Sequence, residues 1–201
     1  MIILGLTGSI GMGKSATAAM FADAGVPVYD ADAAVHSIYA KGGHAVEPLG
    51  ARFPNVIVDG AVNRQRLRDI VMEDPDAMKD LESIVHPLVG KTQMEFRTAA
   101  LKSGSPLAVL DIPLLYETGG DARCDFVAVV SAPPDIQRER VMARQEMSES
   151  DFEKIVAKQV PDAQKRARAD FIISTAFGFD FARTHVNAII HLLSEMDTEN
   201  R

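Results

Sequence analysis

Cysteine is almost missing from this chain, since Cys124 stands alone among 201 residues. A single thiol excludes an intrachain disulfide and suits a reducing compartment. No histidine lies near it in sequence, so Cys124 is expected to pack rather than to catalyse. Long apolar runs are missing too, and none approaches the ~18–20 residues of a membrane span. The apolar start, residues 1–6, lacks the positive flank of a signal peptide and runs straight into a glycine-rich motif. A cytoplasmic location and no membrane partner are expected. Surplus positive charge is also lacking. With a formal net charge of −7, the surface as a whole is not built for nucleic acid. There is no internal repeat and no low-complexity stretch. The histidines show no His-x-His or His-x₃-His spacing, so no zinc site is expected.

What is present is an ordinary globular composition, 47% hydrophobic and 24% charged. This length fits one compact domain with room for a lid or insertion, and a chain of this size buries roughly 70% of its unfolded surface. Ile2-Ile3-Leu4-Gly5-Leu6-Thr7 has the pattern of a buried strand. Residues 13–24 follow as a helix, and Val26-Pro27-Val28-Tyr29 as a second strand. This strand, helix, strand order predicts a parallel sheet covered on both faces. Further strands are predicted at 107–110, 126–130 and 171–173, giving an α/β fold with a five-stranded parallel sheet flanked by helices. Residues 31–101 are mainly helical, with breaks around 42–60. That is too much helix for a simple crossover and is expected to be a substrate-side insertion. Residues 135–159 form one or two helices, broken near Ser148, a good N-cap with Asp151 three positions on. A final amphipathic helix is predicted over 180–196, its apolar face built on Val186, Ile189, Ile190 and Leu193.

The chemistry centres on Gly8-Ser9-Ile10-Gly11-Met12-Gly13-Lys14-Ser15, which matches G-x-x-x-x-G-K-[ST]. Glycines let backbone N–H groups converge on phosphate oxygens without a Cβ in the way. The following helix directs its positive end at the same oxygens. Lys14 is placed for the β- and γ-phosphates, and the Ser15 hydroxyl for Mg²⁺. Gly8, Gly11, Met12, Gly13, Lys14, Ser15 and Ala16 are the expected ATP-binding residues. Ala16 departs from the Thr of many such loops, which removes a side-chain contact and leaves the backbone N–H.

Asp30-Ala31-Asp32 follows the second strand, where ligands gather in a parallel sheet. One carboxylate could orient an acceptor hydroxyl or accept its proton and another could hold Mg²⁺ through water; the alternative is helix N-capping. Asp111 ends an apolar strand, which fits a Mg²⁺-linked role or a turn. Arg140 and Arg144 share one helix face. They fit a lid that grips the transferring group, or surface pairs with Glu139 or Glu146. On spacing alone, His86 is a packed histidine.

Taken together, these motifs resemble the dephospho-CoA kinases, a family of P-loop small-molecule kinases, over nearly the whole chain. The most specific segments are Asp111-Ile112-Pro113-Leu114-Leu115-Tyr116-Glu117 and His86-Pro87. Arg64 to Arg68, Gln137 to Arg144, Gln159-Val160-Pro161 and Lys165 to Asp170 add to the resemblance. It implies transfer of phosphate from ATP to the ribose 3′-hydroxyl of dephospho-CoA, with Asp32 near that hydroxyl. It also implies a helical substrate domain across roughly 60–100 and a lid. The chain is expected to form a single P-loop kinase domain with a nucleotide-binding core at 1–30, 105–134 and 169–201, a helical substrate-binding insertion over about 31–104 and a lid over about 135–168. The lid would carry Arg140 and Arg144. Asp30, Asp32, Arg64 and His86 become candidate acceptor-side residues, and ATP and Mg²⁺ the expected cofactors. Ser9 stands where the family often has Gly. Ser174-Thr175-Ala176-Phe177-Gly178 replaces a more usual Asp-Asn-x-Gly on the adenine side. Two other functions compete: a kinase of the same fold with another acceptor, and a GTP-dependent switch. The switch would need a guanine-reading Asn-Lys-x-Asp, and the sequence contains none.

Overall fold

A computed structural model describes residues 1–144 and 147–199, with side chains to Asp197. The chain divides into two compact units, residues 1–29 with 100–201, and residues 30–99.

The first unit is built on a five-stranded parallel sheet. Its strands are β1 (Ile2–Thr7), β2 (Val28–Asp30), β5 (Leu107–Asp111), β6 (Phe126–Ser131) and β7 (Phe171–Ser174), in the order β2-β5-β1-β6-β7. Parallel registers join β1 to β5 through Ile2↔Leu107 and to β6 through Leu4↔Phe126. These strands are largely apolar, with a polar residue at each carboxyl end, because both faces of the sheet are covered. Successive residues of β6 show it. Ala128 and Val130 enter a core with Leu4, Leu6, Val109 and Ile173. Val127 and Val129 point the other way, onto Leu115 and Tyr116.

Helix α1 (Lys14–Asp23) and helix α9 (Phe179–Glu199) close the first of these cores. α1 contributes Met20 and Phe21, and α9 contributes Ala182, Val186, Ile189 and Leu193 at helical spacing. Between β6 and β7 the chain forms α6 (Pro134–Met142), α7 (Glu149–Ala157) and a short α8 (Asp162–Arg168). Ser148 caps α7, its Oγ accepting from the Asp151 N–H at 3.1 Å, as the sequence predicted. Strand β1 sits at the centre, and the chain leaves it toward β2 on one side while β6 and β7 lie on the other. Strand order therefore reverses at β1, and the crevice for a ligand opens beyond its carboxyl end.

The second unit contains α2 (Ala31–Tyr39), α3 (Val46–Arg52), α4 (Arg64–Glu73) and most of α5 (Pro75–Lys102). It also holds an antiparallel hairpin, β3 (Ile57–Val58) with β4 (Ala61–Val62), where the sequence reading expected only broken helix. Its separate core gathers Tyr39, Leu49, Phe53, Val56, Leu67, Val71 and Val85. No helix of the described residues is long and apolar enough to cross a membrane.

One buried ion pair stands out in the first unit. Lys165 Nζ lies 2.8 Å from Glu117 Oε1, with the lysine side chain fully buried. The same oxygen accepts from the Val160 N–H at 2.8 Å. Burial pushes the Glu117 carboxyl up, but the Lys165 and Val160 contacts outweigh it and hold the group below its ordinary value. A depressed carboxyl stabilises the fold above its unfolded pKa, and that contribution is lost as pH falls through the folded value, below the ~4.3 of a free glutamate. Lys165→Met strands a buried carboxylate and should cost about 3–5 kcal/mol in urea unfolding at neutral pH. Adding Glu117→Leu should recover part of that loss and flatten the acid limb of the stability profile. Equal stability of the single variant and the parent would contradict the assigned role.

Candidate nucleotide-binding site

The glycine motif forms the loop between β1 and α1. Gly11 has φ +77° and Gly13 φ +92°, backbone that side-chain-bearing residues rarely adopt. Space is equally tight. A Cβ on Gly11 would lie 2.5 Å from Val141 Cγ2 and 2.9 Å from Gln137 O, and one on Gly8 would lie 2.7 Å from Val130 O. Helix α1 starts with no side-chain cap on Gly13. Its first-turn N–H groups therefore stay available to an anion, the arrangement helix N-termini use for phosphate.

Lys14 and Asp111 meet at the carboxyl ends of the central strands. Lys14 Nζ donates to Asp111 Oδ1 at 2.6 Å, and both side chains are largely buried. The sequence put these two residues on phosphate and metal respectively, and the geometry makes them partners of each other. Ser15, one residue on, is exposed. Among the described residues, no cluster of three or more acidic, histidine or cysteine side chains is arranged to hold a metal ion. A Mg²⁺ ion fits this donor set only if a nucleotide brings most of the oxygens, the usual mode for this cation.

Beside the loop lies an open cavity of about 370 Å³. Gly11, Gly13, Ala16, Thr17 and Met20 form one side. Arg140, Arg144, Thr175, Gly178, Phe179 and Ala182 form the other. Its wall is mostly apolar, suited to a planar base, with two cations at the edge. The arginines differ in their attachments. Arg140 is fixed by two hydrogen bonds, Nη1 to Thr175 Oγ1 at 2.8 Å and Nη2 to Thr175 O at 2.7 Å. Thr175 Oγ1 donates in turn to Met12 O at 2.8 Å. Arg144 is exposed and forms no ion pair among the described residues. Its alternative partner, Glu146, lies outside them.

The remaining candidates belong to the second unit. Asp30 caps α2, its Oδ1 accepting from the Ala33 N–H at 2.9 Å, while Asp32 is exposed in the first turn of the same helix. Arg64 is exposed at the start of α4. Tyr39 is raised by burial and drawn partly back by the positive charge of Arg64. Arg66 is occupied, Nη1 donating to Asn55 O at 3.0 Å. His86 is exposed rather than packed. Helix α5 turns Ala77, Leu81, Ile84, Val85 and Leu88 inward, and residue 86 falls past the edge of that stripe. Motif reasoning gave no individual role to Gln137, Gln159, Thr175 or Phe179. Gln137 and Gln159 both hydrogen-bond the loop at Ile10.

A sequence profile of the dephospho-CoA kinase family matches residues 2–178. The chain belongs to the dephospho-CoA kinase family. It is 51% identical over 196 residues to a dephospho-CoA kinase of Rhodopseudomonas palustris strain HaA2, covering 98% of each chain. Identity to the dephospho-CoA kinase of Bradyrhizobium diazoefficiens is 53% over 196 residues, covering 98% of this chain and 96% of that one. Among solved structures, TT1252 from Thermus thermophilus superimposes with a TM-score of 0.83 at 35% identity, covering 96% of this chain and 97% of that one. The family profile thus spans the loop and the cavity residues up to Gly178, while Phe179 and Ala182 lie beyond its end.

The close approach at Gly11 yields a direct test. In Gly11→Ala, the left-handed backbone costs about 1–2 kcal/mol and the methyl must displace Val141 or Gln137. Calorimetric ATP affinity should fall about tenfold or more, with the circular dichroism of the fold retained. An alanine variant that binds ATP as the parent does would show that the loop tolerates another shape.

Proposed function

We propose that this protein transfers the γ-phosphoryl group of ATP to the ribose 3′-hydroxyl of dephospho-CoA, giving coenzyme A and ADP. The observation that carries this reading is the match along nearly the full chain to dephospho-CoA kinases, joined to a phosphate loop of the required form. The bond from the γ-phosphorus to the β–γ bridging oxygen breaks, a bond from the acceptor O3′ forms, and the hydroxyl proton leaves.

The residues divide this work. N–H groups of the loop and of the first turn of α1 hold the ATP phosphates. Lys14 leaves Asp111 for the β- and γ-oxygens and neutralises charge that builds during transfer. Ser15 and Asp111 would hold a Mg²⁺ ion beside the phosphates, where it would supply further charge neutralisation. The apolar cavity takes the adenine, with Arg140 held flat along its edge by Thr175. Arg144, with no ion-pair partner among the described residues, is the arginine that meets the transferring group.

Asp32 orients the 3′-hydroxyl and accepts its proton. Positioning matters more than full deprotonation, because a sugar hydroxyl is a far weaker acid than a carboxylic acid. Asp30, Arg64 and His86 serve the acceptor, Asp30 through the helix end that it caps. Such small-molecule chemistry belongs in the cytoplasm and needs neither nucleic acid nor membrane.

A long acceptor can use binding energy from its remote parts to place the reacting hydroxyl. Dephospho-CoA should therefore be phosphorylated far more efficiently than adenosine or AMP, with truncation lowering turnover as well as apparent affinity. Coupled measurement of ADP release across this acceptor series, with the product phosphate located by phosphorus NMR, checks the proposal. Comparable efficiency on AMP, or phosphate at any position other than the ribose 3′, would assign a different acceptor.

A further inference from the structure

The phosphate loop is gripped through its backbone by side chains distant in sequence. Ile10 O accepts from Gln137 Nε2 at 2.7 Å, and the Ile10 N–H donates to Gln159 Oε1 at 3.1 Å. Met12 O accepts from Thr175 Oγ1 at 2.8 Å. The backbone partners fix the chemistry. A carbonyl can only accept and an N–H can only donate, so Gln137 must present its amide nitrogen and Gln159 its amide oxygen.

These contacts sort the donors of the loop. In a planar trans peptide, the C=O and the following N–H point in opposite directions. Drawing Ile10 O toward Gln137 turns the Gly11 N–H away from Gln137. Drawing Met12 O toward Thr175 turns the Gly13 N–H away from Thr175. The Ile10 N–H is meanwhile spent on Gln159. Both glutamines are themselves fixed. Gln137 is buried in α6. Gln159 precedes Val160, whose N–H is bound by Glu117, the partner of buried Lys165.

We propose that Gln137 and Gln159 are positioning residues for phosphoryl transfer, which set the peptide planes at Ile10 so that the loop N–H groups face the phosphates. Neither residue touches a reacting atom, and both act through the loop backbone. The proposal rests on the phosphate-loop reading above and extends it to the two ends of the α6–α7 segment.

The opposite demands on the two amides make the test specific. Gln159→Glu keeps an acceptor for the Ile10 N–H. Gln137→Glu replaces a donor with a carboxylate oxygen facing the Ile10 carbonyl. Both variants add the same negative charge, so charge alone predicts equal losses. With ATP varied at saturating dephospho-CoA, Gln137→Glu should lower kcat/KM for ATP about a hundredfold, and Gln159→Glu by clearly less. The near-isosteric Gln137→Met and Gln159→Met should each cost about tenfold, with KM for the acceptor unchanged, and they carry the test if the Gln137→Glu chain does not fold. Folded methionine variants with the parent kcat/KM for ATP, or equal losses in the two glutamate variants, would overturn the proposal. Lys14→Ala is run alongside. Its loss of ATP turnover with unaffected glutamine variants would sink the positioning role alone, whereas full turnover in Lys14→Ala would remove the phosphate-loop reading itself.

Discussion

The nucleotide half of this protein depends on eight residues of backbone holding a shape that side chains would prevent. Gly11 and Gly13 carry the left-handed dihedrals, and Val141, Gln137 and Val130 crowd the places where Cβ atoms would stand. A loop of this kind has little regular hydrogen bonding of its own and must be held from outside. The sheet supplies one fixed end through β1, and α1 supplies the other. Between them Gln137, Gln159 and Thr175 take up the Ile10 and Met12 backbone groups. The cost of ordering the loop is thus met during folding, so that little reorganisation remains when charge develops on a phosphate.

The Lys14–Asp111 contact adds electrostatics to this scaffold. A lysine and an aspartate at 2.6 Å, both largely removed from water, satisfy each other before any ligand arrives. Were Lys14 to meet a polyphosphate, as proposed, the greater negative charge would favour its exchange from the single carboxylate. Holding Lys14 at this point keeps it from pairing elsewhere. The Glu117–Lys165 pair plays a mechanical part, fixing the chain next to Gln159 through the Val160 N–H. The Asp111–Glu117 segment therefore reaches the glycine loop from both ends, one carboxylate beside Lys14 and the other beside Gln159 through the Val160 N–H.

Much of the fold was legible because its signals are local. Strands buried on both faces are continuous apolar runs, and Ser148 with Asp151 announces a helix start by its own chemistry. The β3–β4 hairpin was missed because two-residue strands carry no periodicity. Its one clue was Asp59-Gly60, whose positive φ values of 52° and 81° fit the Asp-Gly hairpin turn. His86 was misjudged on spacing because it follows Val85 directly, and one step along a helix is enough to leave the buried stripe. The loop motif was plain, but its braces were not. Gln137 and Gln159 meet Ile10 across 127 and 149 positions of sequence, and an amide in a helical stretch is ordinarily a solvated residue. Only the folded chain brings them to the loop.

The central claim is that the phosphate loop is built before nucleotide binds, so that binding moves Lys14 rather than the loop. Crystal structures of the protein alone and with ADP and Mg²⁺ test this directly. The account predicts that the backbone of residues 8–15 superimposes within about 1 Å, with Ile10 still bound to Gln137 and Gln159 and Lys14 transferred from Asp111 to phosphate oxygens. A loop that rearranges by more than about 2 Å, or that releases Gln137 and Gln159 when the nucleotide enters, would contradict it.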